Sequence, residues 1–239
     1  MLASGLYSGS GVTALTIENV TLSGATVNSA ATTGSTCAGG LIGIVGRTSN
    51  TIGTVTVKDC TSSNLTVTGR RNAGGFLGYV KATNVNVNYS ADRSLTCGTI
   101  TSQESSPANA LYGCGGLIGY NDQSILSIVP VDQSQKAQLK IHTLSTTCKI
   151  TGTTSDIAFC GGLVGLLTVT QSKKATIQNV SMEGTTKVEG GSLSNAGGLI
   201  GGISGQFPQW SNGYSVQAEI SGIRIAQEGD SLMTVNQSR

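Results

Sequence analysis

The chain has 239 residues, a formal net charge of +2, 11% charged residues and 4% aromatic residues. It is long enough to bury a substantial core, but its Lys and Arg are scattered apart from Arg70-Arg71 and Lys173-Lys174, which excludes the basic stripe of a nucleic-acid binder. There is no run of 18 apolar residues to span a membrane as a helix, and the opening "MLASGLYSGSGV" lacks the charged start and apolar middle of a secretory signal.

With 34 Gly, 3 Pro and many Ser, Thr, Val and Ile, the composition is that of a β-rich chain with tight turns. In chain order, "ASGLYSGSG" reads as a decayed glycine motif with Gly5 in the place of Gly198. "LTIENVTL" follows and alternates apolar with polar residues, as a strand with one buried face does. A short strand, "ATVNS", and then "CAGGLIGIVG" complete the first unit. The series recurs as "VTVKDCTS", "NLTVTG" and "NAGGFLGYV", then as "VNVNYS", "GTITS" and "GCGGLIGYN". "LKIHTLS", "CKITG" and "FCGGLVGLL" form the next unit, followed by "ATIQNVSM", "TKVEGG" and "NAGGLIGGI", and a last "EISGIRI" closes the series.

Aligned at Gly40, Gly75, Gly116, Gly162 and Gly198, the motifs are spaced by 35, 41, 46 and 36 residues, the period of a stacked architecture. The expectation is one all-β domain over residues 1–239: a parallel β-solenoid of about five to six repeats with three short strands per coil, cut from a longer array. Two insertions are expected to interrupt it, at 120–138 and at 204–217. Glycine pairs suit a corner that turns sharply and leaves no side chain to block the next layer. Behind them Leu41, Phe76, Leu117, Leu163 and Leu199 are expected to stack as an apolar ladder.

The "GGLIG" and "GGLVG" motifs with their intervening alternating strands resemble the GLUG repeats of bacterial surface proteins and of some secreted immunoglobulin A proteases. The resemblance covers nearly the whole chain, and it implies an extracellular, right-handed parallel β-helix used as a stalk or adhesive segment. The spacing here is longer and less even than in that family.

Asn19, Asn88 and Asn179 are expected to share one corner of the repeat, stacking as an amide ladder, with Asp59, Thr143 and Gly222 at the same place in other units. These three, with Asn64 and Asn236, are also the five N-x-Ser/Thr sequons; Asn64 and Asn236 are the glycosylation candidates if the protein passes through a eukaryotic secretory route. Six cysteines without a C-x-x-C pair point to neither zinc nor a redox dithiol, and no metal or other cofactor is expected. Cys97 with Cys114, and Cys148 with Cys160, flank connections into a glycine pair (Ile100 to Gly115 and Ile150 to Gly161) that are longer than the one from Val67 to Gly74, which predicts two disulfide staples; pairing of Cys114 with Cys160 and bare buried thiols are the alternatives. Cys60 takes the place of Val20 and Val180 and reads as a core thiol, and Cys37 has no evident partner.

Phe207, Trp210 and Tyr214 fall within eight positions of an otherwise aromatic-poor chain, and aromatic rings on a loop are a platform for sugars or for a partner's apolar surface. No catalytic group is assigned. The twelve acids are dispersed, and His142 stands alone on a strand. The sequence therefore points to a structural or adhesive segment at the cell surface or outside the cell. Its expected partners are neighbouring repeats of the same or an identical chain, together with glycans or a surface protein, with no nucleic acid and no membrane insertion. A polysaccharide-active lyase or hydrolase would need converging carboxylates, and an ice-binding surface would need an even Thr-x-Thr array.

Overall fold

The computed structural model describes residues 3–6, 13–29, 36–46, 52–104, 111–134, 136–150, 158–169, 173–183, 187–191, 194–204, 217–225 and 234–237. Among these residues it is all-β without a helix, so no helix is long and apolar enough to cross a membrane. The strands form four sheets, and every pairing is parallel, each strand bonded to its counterparts in the units before and after it.

Sheet 1 contains the strands that follow the glycine pairs, Ile42–Val45, Leu77–Val80, Ile118–Asn121, Val164–Thr168 and Ile200–Ser204, with Ala3–Leu6 at its edge. Sheet 2 contains Ala14–Glu18, Ile52–Lys58, Ala82–Tyr89, Ile125–Pro130, Lys174–Gln178 and Gln217–Ser221. Here the alternation of the sequence becomes burial: Ile17, Val57, Val87, Ile128 and Ile177 are in register and buried, while Thr16, Thr56, Asn86, Ser127 and Thr176 form the row between them and the neighbouring apolar column. Sheet 3 is built on the long strands Thr61–Gly69, Arg93–Glu104 and Leu139–Ile150. Shorter pairs flank them, Thr21–Ser23 with Thr26–Ser29 on one side and Val180–Met182 with Lys187–Gly190 on the other. Beyond the latter pair lie Arg224–Ile225 and Thr234–Gln237.

Sheet 4 is the difference from the expected three strands per coil. Cys37–Gly39, Asn72–Gly74, Tyr112–Gly115, Ala158–Gly161 and Ser194–Gly197, each read as part of a single glycine corner, pair with one another as a separate sheet. The chain enters sheet 4 from sheet 3 at five equivalent junctions: Ser29 to Cys37, Gly69 to Asn72, Glu104 to Tyr112, Ile150 to Ala158 and Gly190 to Ser194.

The glycine motif joins sheet 4 to sheet 1 through close approach of backbones. A Cβ on Gly74 would lie 2.0 Å from the Leu77 carbonyl oxygen and 2.6 Å from the Gly119 nitrogen of the next unit; Gly39, Gly115 and Gly161 are enclosed in the same way. The second glycines Gly40, Gly75, Gly116 and Gly162 face the next unit directly: a Cβ on Gly116 would lie 2.0 Å, and one on Gly75 2.1 Å, from the carbonyl oxygen above it. Of the two reasons the sequence suggested for glycine, the structure requires this one: none of these glycines has a positive φ. The expected ladder is present beside them. Leu41, Phe76, Leu117 and Leu163 are each at most 1% exposed, Leu199 packs partly buried against them, and the amides of the first four bond in succession to the carbonyls of Phe76, Leu117, Leu163 and Leu199.

Three other expectations change. Residues 120–138 are not an insertion as a whole, because Ile118–Asn121 and Ile125–Pro130 within or beside them belong to sheets 1 and 2; the extra length is confined to the turn at 131–138 before sheet 3. "LKIHTLS" is accordingly a sheet 3 strand, and Thr143 pairs with Cys97 there instead of sharing a corner with asparagines. Gly5 pairs with Ile44 in sheet 1, so the opening fragment is the strand after a glycine motif and not the motif itself. Ser204 ends a strand of sheet 1 and Gln217 begins one of sheet 2; the rest of the second expected insertion, residues 205–216, lies outside the described residues.

The predicted asparagine corner also shifts by one residue. Asn88 pairs with Lys58, so Tyr89 and Pro130 occupy the corner position together with Asn19, Asp59, Asn179 and Gly222. At that corner Asn19, Asp59, Asn179 and Gly222 have φ of 57°, 52°, 51° and 64°. The left-handed conformation, which Asn, Asp and Gly tolerate best, selects these residues, and not an amide ladder. Asn19 is in fact exposed.

Candidate functional site

The largest departure from the sequence reading is at the junction of sheets 3 and 4. Along sheet 4 one column reads Ala38, Ala73, Cys114, Cys160, Ala196. Along sheet 3 another reads Ser29, Gly69, Ser102, Cys148, Gly190. Where most units place the smallest side chains, the middle of the stack substitutes cysteine three times, and parallel pairing brings the three together. Their Sγ atoms all lie within 4.8 Å of one another, and the residues are 0%, 1% and 0% exposed for Cys114, Cys148 and Cys160.

Each sulfur also has a backbone carbonyl in reach: Cys114 donates to Ile100 O at 3.4 Å, Cys160 to Thr146 O at 3.2 Å and Cys148 to Phe159 O at 3.5 Å. Burial drives Cys148 and Cys160 well above the ordinary thiol range. Burial acts on Cys114 too, but hydrogen bonds from Cys148 and Cys160 outweigh it and draw that thiol below its usual value.

All six cysteines are free and buried. Of the two expected staples, Cys148 and Cys160 do lie side by side, as do the alternative partners Cys114 and Cys160. Cys97 does not join them. It sits in mid-strand between Leu65 and Thr143, because sheet 3 continues past Ile100 to Glu104 and the connection it was expected to flank begins only beyond that point. Burial pushes the Cys97 thiol up to about 12 against the opposing hydrogen bonds of Ser62 and Thr143. Cys60 is the core thiol expected, 4% exposed, and Cys37 accepts a hydrogen bond from Asn72 Nδ2 at 3.3 Å.

A spacing rule for metal ligands misses the cluster, since its donors come from three strands in two sheets. The signal available in sequence was that Cys114 and Cys160 hold the same place in consecutive motifs. Among the described residues this is the group of cysteine, histidine and carboxylate donors that converges closely enough to hold a metal ion.

A second polar group lies on sheet 1. Tyr79 and Tyr120 are in register and meet edge to face, with centroids 5.4 Å apart and planes at 79°. Both hydroxyls donate to Asp122, at 2.6 Å from Tyr79 and 3.2 Å from Tyr120, and Lys81 Nζ binds the same carboxylate at 2.9 Å. Burial, followed by the Asp122 charge, pushes both phenols far above their usual range, so they act as fixed neutral donors. Beneath them Phe159 and Leu166 complete a small apolar cluster.

Several other described acids are held in ion pairs. Arg70 meets the buried Glu104 at 2.7 Å, Arg93 meets Asp59 at 3.2 Å, and Lys58 and Lys174 bind Glu18 and Glu219 of neighbouring units. His142 faces partly outward from sheet 3. Asn64 is exposed at the irregularity of Thr61–Gly69, with φ of 53°. Asn236 lies in the strand Thr234–Gln237, paired with Glu189. Phe207, Trp210 and Tyr214 lie outside the described residues. No family model matches the chain, and no curated protein or solved structure matches it.

Proposed function

We propose that this chain is a segment of a right-handed parallel β-helix in an extracellular or cell-surface protein, where it serves as a rigid stalk or interaction scaffold. The observation that carries the reading is the pairing of successive units, strand over strand, in four parallel sheets. In such a stack each unit touches only its neighbours, and the sheets run hydrogen bonds from unit to unit at about 4.8 Å per step. Extending the stack requires breaking bonds in all four sheets together, which makes it stiff along its length.

The GLUG-like glycine motifs support a surface location, and the packing of their glycines supplies the physical reason for the motif. The pairing of Glu18, Asp59, Glu104, Asp122 and Glu219 with cations in the same and adjoining units favours a scaffold over an enzyme. Neighbouring repeats are the first partners, and the turns and connections between sheets are where a glycan or a surface protein would be held.

Antibody raised against the purified chain tests the location. It is expected to label intact cells of the source organism; labelling that appears only after permeabilisation overturns the proposal.

A further inference from the structure

We infer that Cys114, Cys148 and Cys160 form a binding site for a soft, thiophilic d10 metal ion in three-coordinate sulfur geometry, with Cu(I) as the ion that fits. The inference stands on the cluster alone and does not depend on where the protein resides. Three sulfurs lie within 4.8 Å of one another. A planar three-coordinate centre with metal–sulfur bonds of about 2.3 Å sets its sulfurs about 4.0 Å apart, within the observed limit. A disulfide would need two of them at about 2.05 Å and would leave the third thiol buried and unused.

Packing alone does not call for these residues. The equivalent positions in the flanking units are Ala73 and Ala196 in one column and Gly69 and Gly190 in the other, so small side chains suffice to close this corner. The other places of the two columns hold Ala38, Ser29 and Ser102, so the cysteines add soft sulfur donors where the rest of the stack offers at most a hydroxyl.

The donor set also selects the metal. Sulfur ligands favour Cu(I), zinc and iron–sulfur centres among biological metals. Structural zinc takes four protein ligands, and three-ligand zinc keeps a water in the fourth position. Here the group comprises three residues and is closed to solvent, which offers neither. Cu(I) accepts three sulfurs without water. Each thiol that becomes a ligand releases its proton to solvent, and no electron is transferred, so the ion enters and stays as Cu(I). Because the sulfurs are enclosed, loading accompanies folding.

The test refolds the full chain anaerobically in reductant with one equivalent of Cu(I), supplied as its acetonitrile complex, and removes loose metal with a Cu(I) chelator. The expected result is one copper retained per chain with three sulfur neighbours by X-ray absorption. Cys97→Ser is expected to retain it equally, and Cys114→Ala and Cys148→Gly, which install the residues of the flanking units, to retain less than a tenth. Zinc offered in the same way is expected to be stripped by a chelator.

Absence of retained copper in the wild type overturns the inference. So does copper with fewer than three sulfur neighbours, equal retention by Cys114→Ala, or a disulfide among the three cysteines in protein purified without added metal. If the substitutions prevent folding, which circular dichroism reports, the sulfur count in the wild type decides.

Discussion

Replacing Gly74 by Ala tests the physical basis of the whole stack. The added methyl carbon would stand 2.0 Å from the Leu77 carbonyl oxygen and 2.6 Å from the Gly119 nitrogen, both backbone atoms that cannot rotate away. Closest carbon–oxygen approaches in proteins are about 3.3 Å, so sheet 4 and sheet 1 must part locally by about 1.3 Å. Both are tied to neighbouring units by their own ladders. Overpacking of a close-packed interior costs about 1–3 kcal/mol and at times more; with backbone on every side, the loss here is expected at or above about 3 kcal/mol.

Gly98→Ala is the matched control. Its nearest atom would be Thr66 Oγ1 at 3.5 Å, an ordinary contact, and its φ is not positive. Restricting the unfolded chain at such a site is expected to stabilise by about 0.4–1 kcal/mol. Urea unfolding followed by far-UV circular dichroism measures both. A Gly74→Ala stability within about 0.5 kcal/mol of wild type, the range of a neutral surface change, refutes the close approach as the reason for glycine, as does a Gly98→Ala loss of equal size.

The left-handed corner makes a prediction of opposite sign for two substitutions at one position. Asn179→Ala is expected to destabilise by about 1–2 kcal/mol, whereas Asn179→Gly, the residue found at the next equivalent corner, is expected to be neutral or slightly stabilising in the same urea assay. Asp59 gives a pH dependence: burial raises its carboxyl, but hydrogen bonds from Ser90 and the Arg93 charge outweigh this and hold it below the usual range. Its contribution is therefore complete above the unfolded carboxylate value of about 4 and is lost as pH falls through the lower folded value. Thermal melts from pH 6 to pH 2 should show Asp59→Asn, which keeps a residue tolerant of φ 52°, less stable than wild type at pH 6 and converging with it in acid. Parallel curves across that range would remove the carboxylate from the account.

What the sequence made legible follows from which signals repeat. The glycine pairs and the apolar residue behind them recur in every unit under the same steric demand, so their stacking could be read directly. The fourth sheet could not, because its three- and four-residue strands end in the glycines that looked like a turn. The asparagine column slipped by one because Asn88 lies beside the corner that Tyr89 fills, and similar letters hid a different backbone. "SILSIVP" looked like inserted chain because "LKIHTLS" after it alternates like the second-sheet strands of the other units; Pro130 ends the strand opposite Tyr89, and the true extra length follows it. The thiol cluster depended on register between sheets 3 and 4, which linear spacing does not contain.

The strands that bound the five junctions between sheets 3 and 4 pair from unit to unit, and the connections between them differ in length from two intervening residues at Gly69–Asn72 to seven at Glu104–Tyr112, Ile150–Ala158 and Ser29–Cys37. Added residues at such a place cost little closure entropy and disturb neither the glycine seam nor the apolar ladders. Insertion and substitution can therefore vary those connections unit by unit while the paired sheets on either side stay the same.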